Sequence, residues 1–233
     1  DVYKRQVTVT ADNGETASSK PAFFETGKMN QPWTARWIGA SREDTFHPVL
    51  TKQFSIGKRI KKARLYICGL GLYEAYVNGK KAGNEYLAPF LNDYEACYQY
   101  QTYDVTRLLK DFAAGEKKCE NQELEEENTI EILLGKGWYM GTFGLKNQSC
   151  LFGDEMKAIA ELHVDYEDGS QEVIGTDESW KYRGSDIEDS GIYMGEIYNH
   201  SLWEKRENPW KKVEIKTAPG RLCLLYTSPS PRD

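Results

Sequence analysis

Apolar residues in this chain recur at every second position, in runs too short for anything but strands. Ile130, Ile132 and Leu134 alternate with Thr129 and Glu131, and residues 157–166 repeat the pattern. A period of two sends successive side chains to opposite faces, so each run predicts a half-buried β-strand. Residues 50–56, 63–71, 72–77, 171–174 and 179–182 read the same way, and Tyr193 completes the series. Turn signals punctuate the runs. Asn78-Gly79 supplies the two residues that tolerate positive φ in a tight hairpin, and residues 167–170 (Glu-Asp-Gly-Ser) predict a second one. Helical periodicity is confined to one short stretch: residues 104–110 predict a single capped turn, with Asp104 or Thr106 accepting from its free amides. Many short strands with turns between them predict an all-β fold, an antiparallel jelly-roll-type β-sandwich.

Organisation along the chain follows from changes of texture. Residues 1–6 (DVYKRQ) and 223–233 (CLLYTSPSPRD) match translations of a sequencing-library adapter, one from each strand, and are expected to be scars. Residues 7–29 hold two strand-like runs around Asp12-Asn13-Gly14. Two strands make no core, so they read as the remnant of an immunoglobulin/fibronectin III-like domain. The sandwich is expected over residues 30–216, with residues 217–222 starting a linker. Within it, residues 113–127 crowd Glu side chains around Cys119 and read as a solvated loop insertion.

Composition excludes several classes of function. The chain of 233 residues carries a net charge of −6, which argues against nucleic acid, whose phosphates need a basic face. No apolar run approaches the roughly 18 residues of a membrane span. The five Cys are scattered without a CxxC, giving neither a zinc site nor a disulfide framework. His47, His163 and His200 lack metal-ligand spacing, and His163 reads as a structural histidine within a strand. Residues 135–141 (GKGWYMG) imitate a phosphate loop, but no helix pattern follows to hold an anion. With 36 acidic residues, no glycosidase-like pair of carboxyls stands out. A sugar-binding surface fares better, since aromatics stack on pyranose rings while amides and carboxylates take the hydroxyls. Asn84, Glu85, Tyr86, Phe90, Asn92, Asp93 and Tyr94, with Trp138 and Tyr139, carry that chemistry. Each aromatic, like Tyr98, Tyr100 and Tyr103, serves a core equally well.

Six strings in a fixed order carry a family resemblance. They are Trp33-Thr-Ala-Arg-Trp-Ile-Gly39, Gly69-Leu-Gly-Leu-Tyr-Glu-Ala-Tyr-Val-Asn-Gly79, Leu87-Ala-Pro89 through Asp93-Tyr94, Tyr100-Gln-Thr-Tyr-Asp-Val-Thr106, residues 128–139 and Asp177-Glu-Ser-Trp180. Gly195-Glu-Ile-Tyr-Asn199 closes the series. Together they resemble the N-terminal β-domain of bacterial α-L-rhamnosidases, glycoside hydrolase family 78, over residues 7–222. The chain departs from that pattern at Leu91, where many members carry Trp, and at Asn199, where Asp is usual.

The resemblance implies a parent enzyme that removes terminal α-L-rhamnose from glycosides by an inverting mechanism. Its acid and base would lie on an (α/α)6 barrel beyond this region, so none of the catalytic residues falls here and the chain alone is expected to be inactive. Its partners would be rhamnose-containing glycosides, through the parent, and the barrel itself. In some members the β-domain binds rhamnose through calcium, which implies Asn84 and Glu85 as metal ligands and Asn84, Glu85, Trp138 and Tyr139 as sugar contacts. A purely structural role stays open beside that one. So does a free-standing carbohydrate-binding or adhesion module.

Overall fold

The computed structural model describes residues 2–29, 31–110, 127–142, 144, 146–200, 209–218 and 220–224. Its contacts divide into two units, residues 1–32 and 33–233. In the first, β1 (Val2–Arg5) pairs antiparallel with β4 (Ala22–Glu25), and β2 (Thr8–Thr10) with β3 (Thr16–Ser18). The second hairpin turns at Gly14, whose N–H donates to Ala11 O at 2.9 Å, and all its strand residues are exposed. Residues 2–5, expected to be scar sequence, thus take part in strand pairing.

The second unit begins with β5 (Ile38–Gly39), β6 (Pro48–Ser55), β7 (Ile60–Leu70), β8 (Leu72–Val77) and β9 (Lys80–Lys81). After β10 (Cys97–Asp104) and β11 (Glu127–Gly135) comes one helical turn, α1 (Gly137–Met140), then β12 (Lys157–Tyr166), β13 (Gln171–Gly175) and β14 (Lys181–Gly184). A hairpin of β15 (Ile187–Gly191) and β16 (Gly195–Tyr198) precedes β17 (Lys211–Lys212), β18 (Glu214–Ile215) and β19 (Arg221–Leu224). The strands form two large sheets, ordered β18-β5-β12-β7-β10-β19, with β13 also on β12, and β17-β14-β6-β11-β8-β9. All pairs in both are antiparallel except β10 with β19. This is the all-β sandwich the alternation predicts.

The core lies between the inner faces. Ala63, Leu65 and Ile67 of β7 and Leu162 and Val164 of β12 meet Ile130, Ile132 and Leu134 of β11 and Ala75 and Val77 of β8. Each fully buried Leu or Ile contributes about 1.5–3 kcal/mol relative to exposure. Trp180 fits into the same cluster, 1% exposed, its indole N–H donating to Gly175 O at 3.0 Å.

Alternation fails where a second layer covers the first sheet. Residues 158–162 of β12 and 67–70 of β7 are buried without interruption. On that outer face Cys68, Leu70, Tyr98, Tyr100 and Ile159 form a second cluster with Tyr94 and Tyr139, capped by Trp33 and Trp37. Trp33 meets Tyr100 edge-on at 5.4 Å, and Trp37 meets Tyr98 at 6.0 Å. Tyr94, Tyr98, Tyr100 and Tyr103 are therefore core residues, each under 10% exposed. The segment 33–37 is held down by Glu161, itself 0% exposed, whose Oε1 accepts from the Thr34 and Ala35 amides and the Thr34 hydroxyl.

Three local expectations are corrected. Residues 105–109 form a turn rather than a helical one; Asp104 Oδ1 accepts from the Thr106 amide at 3.1 Å and pairs with Arg64 at 2.8 Å. Tyr193 lies in the β15–β16 turn, 67% exposed, not in a strand. Residues 135–141 do contain a helical turn, but it spans four residues and has no side-chain cap. The acidic insertion, with Cys119, lies outside the described residues apart from Glu127.

Gly71 makes the crossing from one sheet to the other. It sits between β7 and β8 at φ +106°, and a Cβ there would come within 2.3 Å of Gly135 O. Gly71→Ala is expected to destabilise the chain by about 2 kcal/mol through backbone strain and that contact. Urea unfolding checks this, and an unchanged midpoint would show that the crossing relaxes freely.

Candidate functional site

Hairpin β8–β9 delivers the loop that holds the sequence candidates. Asn78 and Gly79 take φ of 51° and 73°, as the turn requires, and Val77 pairs with Lys80. Beyond it Gly83 (φ +81°) passes so close to Tyr103 that a Cβ would lie 2.3 Å from its ring. The chain then returns to the sandwich, where Tyr73 N donates to Ala88 O at 2.8 Å. Asn92, buried, accepts from Gln99 N at 2.8 Å and anchors the far end.

Asn84 and Glu85 are exposed on this loop. Glu85 Oε2 accepts from the Asn84 amide at 3.0 Å, so the carboxylate folds back on its own backbone. Beneath lies a buried polar group: Tyr73 Oη donates to Gln101 Oε1 and lies 3.2 Å from Tyr103 Oη. Gln101 Nε2 has no hydrogen-bond partner among the described residues. Burial raises both phenols above the ordinary range, and the Glu85 charge adds to this.

Trp138 and Tyr139 lie elsewhere. Both belong to α1 and to the second cluster, whereas Glu85 stands over Tyr103 of the first. Tyr139 is 5% exposed with its ring 5.1 Å from Tyr94, so it offers no free face to a sugar. Trp138 is partly buried. The aromatic beside Asn84 and Glu85 is Tyr86, 75% exposed, with Lys81 Nζ 4.2 Å above its ring. Leu91, also exposed, supplies no stacking face.

Calcium wants roughly six to eight oxygen ligands. Among the described residues no group of three or more His, Cys, Asp or Glu gathers as a metal site. With Glu85 turned onto the Asn84 amide, this pair does not fit the ion.

Another polar cluster joins the start of α1 to the β15–β16 hairpin, and nothing in the sequence pairs Lys136 with Asp189 and Ser190, 53 and 54 residues on, or with His47. Lys136 Nζ donates to Asp189 Oδ1 at 2.6 Å, and that bond holds the Asp189 carboxyl below the usual range. Ser190 Oγ lies 2.8 Å from His47 Nε2 and accepts from Lys136 N at 3.3 Å. His47 is 0% exposed; burial first, then the Lys136 charge, pull its pKa down to about 4, so the imidazole is neutral at pH 7. His163, by contrast, packs edge-on against Tyr66 and bonds Glu161 Oε2 at 2.8 Å, a structural role. Among the described residues no helix is long and apolar enough to cross a membrane.

Comparison with known proteins points one way. The profile of the α-L-rhamnosidase N-terminal domain matches residues 58–229. An α-L-rhamnosidase of Streptomyces avermitilis is 34% identical over 187 residues, 77% of this chain and 17% of that protein. Among solved structures, the α-L-rhamnosidase of Aspergillus terreus matches with a TM-score of 0.77 and 29% identity, over 94% of this chain and 26% of that one. That of Dictyoglumus thermophilum matches with a TM-score of 0.74 and 32% identity, over 96% and 26%. The chain thus spans about a fifth of the curated relatives' length. It belongs to the α-L-rhamnosidase N-terminal domain family.

Proposed function

We propose that this chain is the non-catalytic β-sandwich portion of an α-L-rhamnosidase, flanking a catalytic domain that removes terminal α-L-rhamnose from glycosides with inversion. The match to the family's N-terminal domain carries the reading. The chemistry of the chain supports it. Inverting hydrolysis needs two carboxyl groups about 6.5–9.5 Å apart across the scissile bond. The cavity beside α1 is lined by one, Asp189, already tied to Lys136. The purified 233-residue chain is expected to release no chromophore from an aryl α-L-rhamnoside. Clear turnover that co-purifies with the chain would overturn the reading.

The same reading gives Asn84 and Glu85 a contact with the glycoside, supported by their exposure beside the exposed Tyr86.

A further inference from the structure

We propose that the cavity between α1 and β15 binds a single 6-deoxyhexose ring, at a place separate from the Asn84–Glu85 loop. The inference rests on the reading above only for the class of sugar. The cavity encloses about 190 Å³, below the roughly 300–1,000 Å³ of pockets that take larger ligands, and so admits one ring rather than a glycan chain.

Its lining has unspent hydrogen-bonding capacity of both signs. Lys136 Nζ gives one of its three donors to Asp189 Oδ1, and the Ser190 amide donates to that same oxygen at 2.9 Å. Asp189 Oδ2 accepts nothing among the described residues, although its side chain is 52% exposed and faces the cavity. The hydroxyls of Thr142 and Ser149, also in the lining, likewise make no hydrogen bond among the described residues. A carboxylate and an ammonium side by side suit vicinal hydroxyls, one accepting from the first oxygen and the other donating to the second. The Asp189 charge disfavours an anion, and Lys136 beside a lone carboxylate disfavours a metal ion.

The thioethers of Met140 and Met194 also line the cavity, the latter 79% exposed. Such side chains welcome an apolar edge and leave a hydroxymethyl group without a partner. A ring carrying vicinal hydroxyls and a methyl at C5 finds a partner for each in this lining. The Ser190 hydroxyl, also in the lining, is held between His47 and the Lys136 amide.

The chain has four methionines, Met29, Met140, Met156 and Met194, so methyl NMR of the whole protein reads the site directly. Titration with L-rhamnose is expected to shift the Met140 and Met194 methyls saturably and to leave Met29 and Met156 in place. L-Mannose, which differs by the hydroxyl at C6, is expected to bind about tenfold more weakly. Asp189→Asn and Lys136→Gln are each expected to weaken binding about tenfold, with the Met156 signal, packed against the core, confirming the fold. No saturable shift at Met140 and Met194 would overturn the proposal, and equal affinity for L-mannose would overturn its ligand class. Saturable shifts confined to the Tyr86 ring, unaffected in D189N, would place the sugar on the loop. That result would end this inference while leaving the rhamnosidase reading, tested by turnover, untouched.

Discussion

Taking the pH from 7 to 4 is expected to remove about 3 kcal/mol of folding stability through one residue, His47. In the folded chain its ring is fully enclosed, and burial followed by the Lys136 charge lowers its pKa from 6.5 to about 4. The unfolded chain takes up a proton below about pH 6.5 while the folded chain does not, so stability falls as acid is added. The loss begins near pH 6.5 and is complete near pH 4. Carboxyls held below their ordinary range add their own loss only at the acid end of this window, Glu74 and Glu214 from near pH 4.5 and aspartates such as Asp104 from near 3.8. His47→Gln keeps an uncharged polar side chain opposite Ser190 and has nothing to titrate. Whatever its stability at pH 7, that variant is expected to show an almost flat denaturant midpoint between about pH 6.5 and 5. An equally steep acid slope in H47Q would show that His47 is not the group responsible.

Local patterns and long-range ones were unequally legible in the sequence. The inward set Ile130, Ile132 and Leu134 and the Asn78-Gly79 turn depend on strand pleat and turn geometry, which neighbouring residues encode. The second cluster was not readable, because the residues that cover β7 and β10 arrive from Trp33, Trp37 and Tyr94, and no spacing rule links them. For the same reason the tyrosines of β10 could be read as core or as site, and only burial decided. Among the site candidates, Asn84 and Glu85 were placed in an exposed loop by the turn before them. The burial of Tyr139 is not legible, because it sits on a helical turn with its ring against Tyr94, far away in the chain. The Lys136–Asp189 pair was invisible, since hairpin β15–β16 returns to α1 only in three dimensions.

Glu161 is where such a distant connection carries the most stability. It lies on β12 among apolar neighbours, yet its carboxylate collects the Thr34 and Ala35 amides, the Thr34 hydroxyl and the His163 ring. These groups are 126 or 127 residues away, except His163 on the same strand. Glu161→Ala leaves the donors without their acceptor and is expected to cost about 3 kcal/mol, since charge-assisted hydrogen bonds at a buried group are worth about 1.5–3 kcal/mol each and the Thr34 side can recruit water. Glu161→Gln retains a carbonyl oxygen for the same three donors and turns its amide toward His163, so its cost should be near 1 kcal/mol. The difference between the two variants isolates the acceptor from the bulk of the side chain. Release of the segment also frees Trp33 and Trp37 from Tyr100 and Tyr98, so E161A should red-shift tryptophan emission and speed exchange of the Thr34 and Ala35 amides, while E161Q should do neither. Matching urea midpoints for E161A and the unaltered chain would mean that the tryptophans hold segment 33–37 in place without the carboxylate.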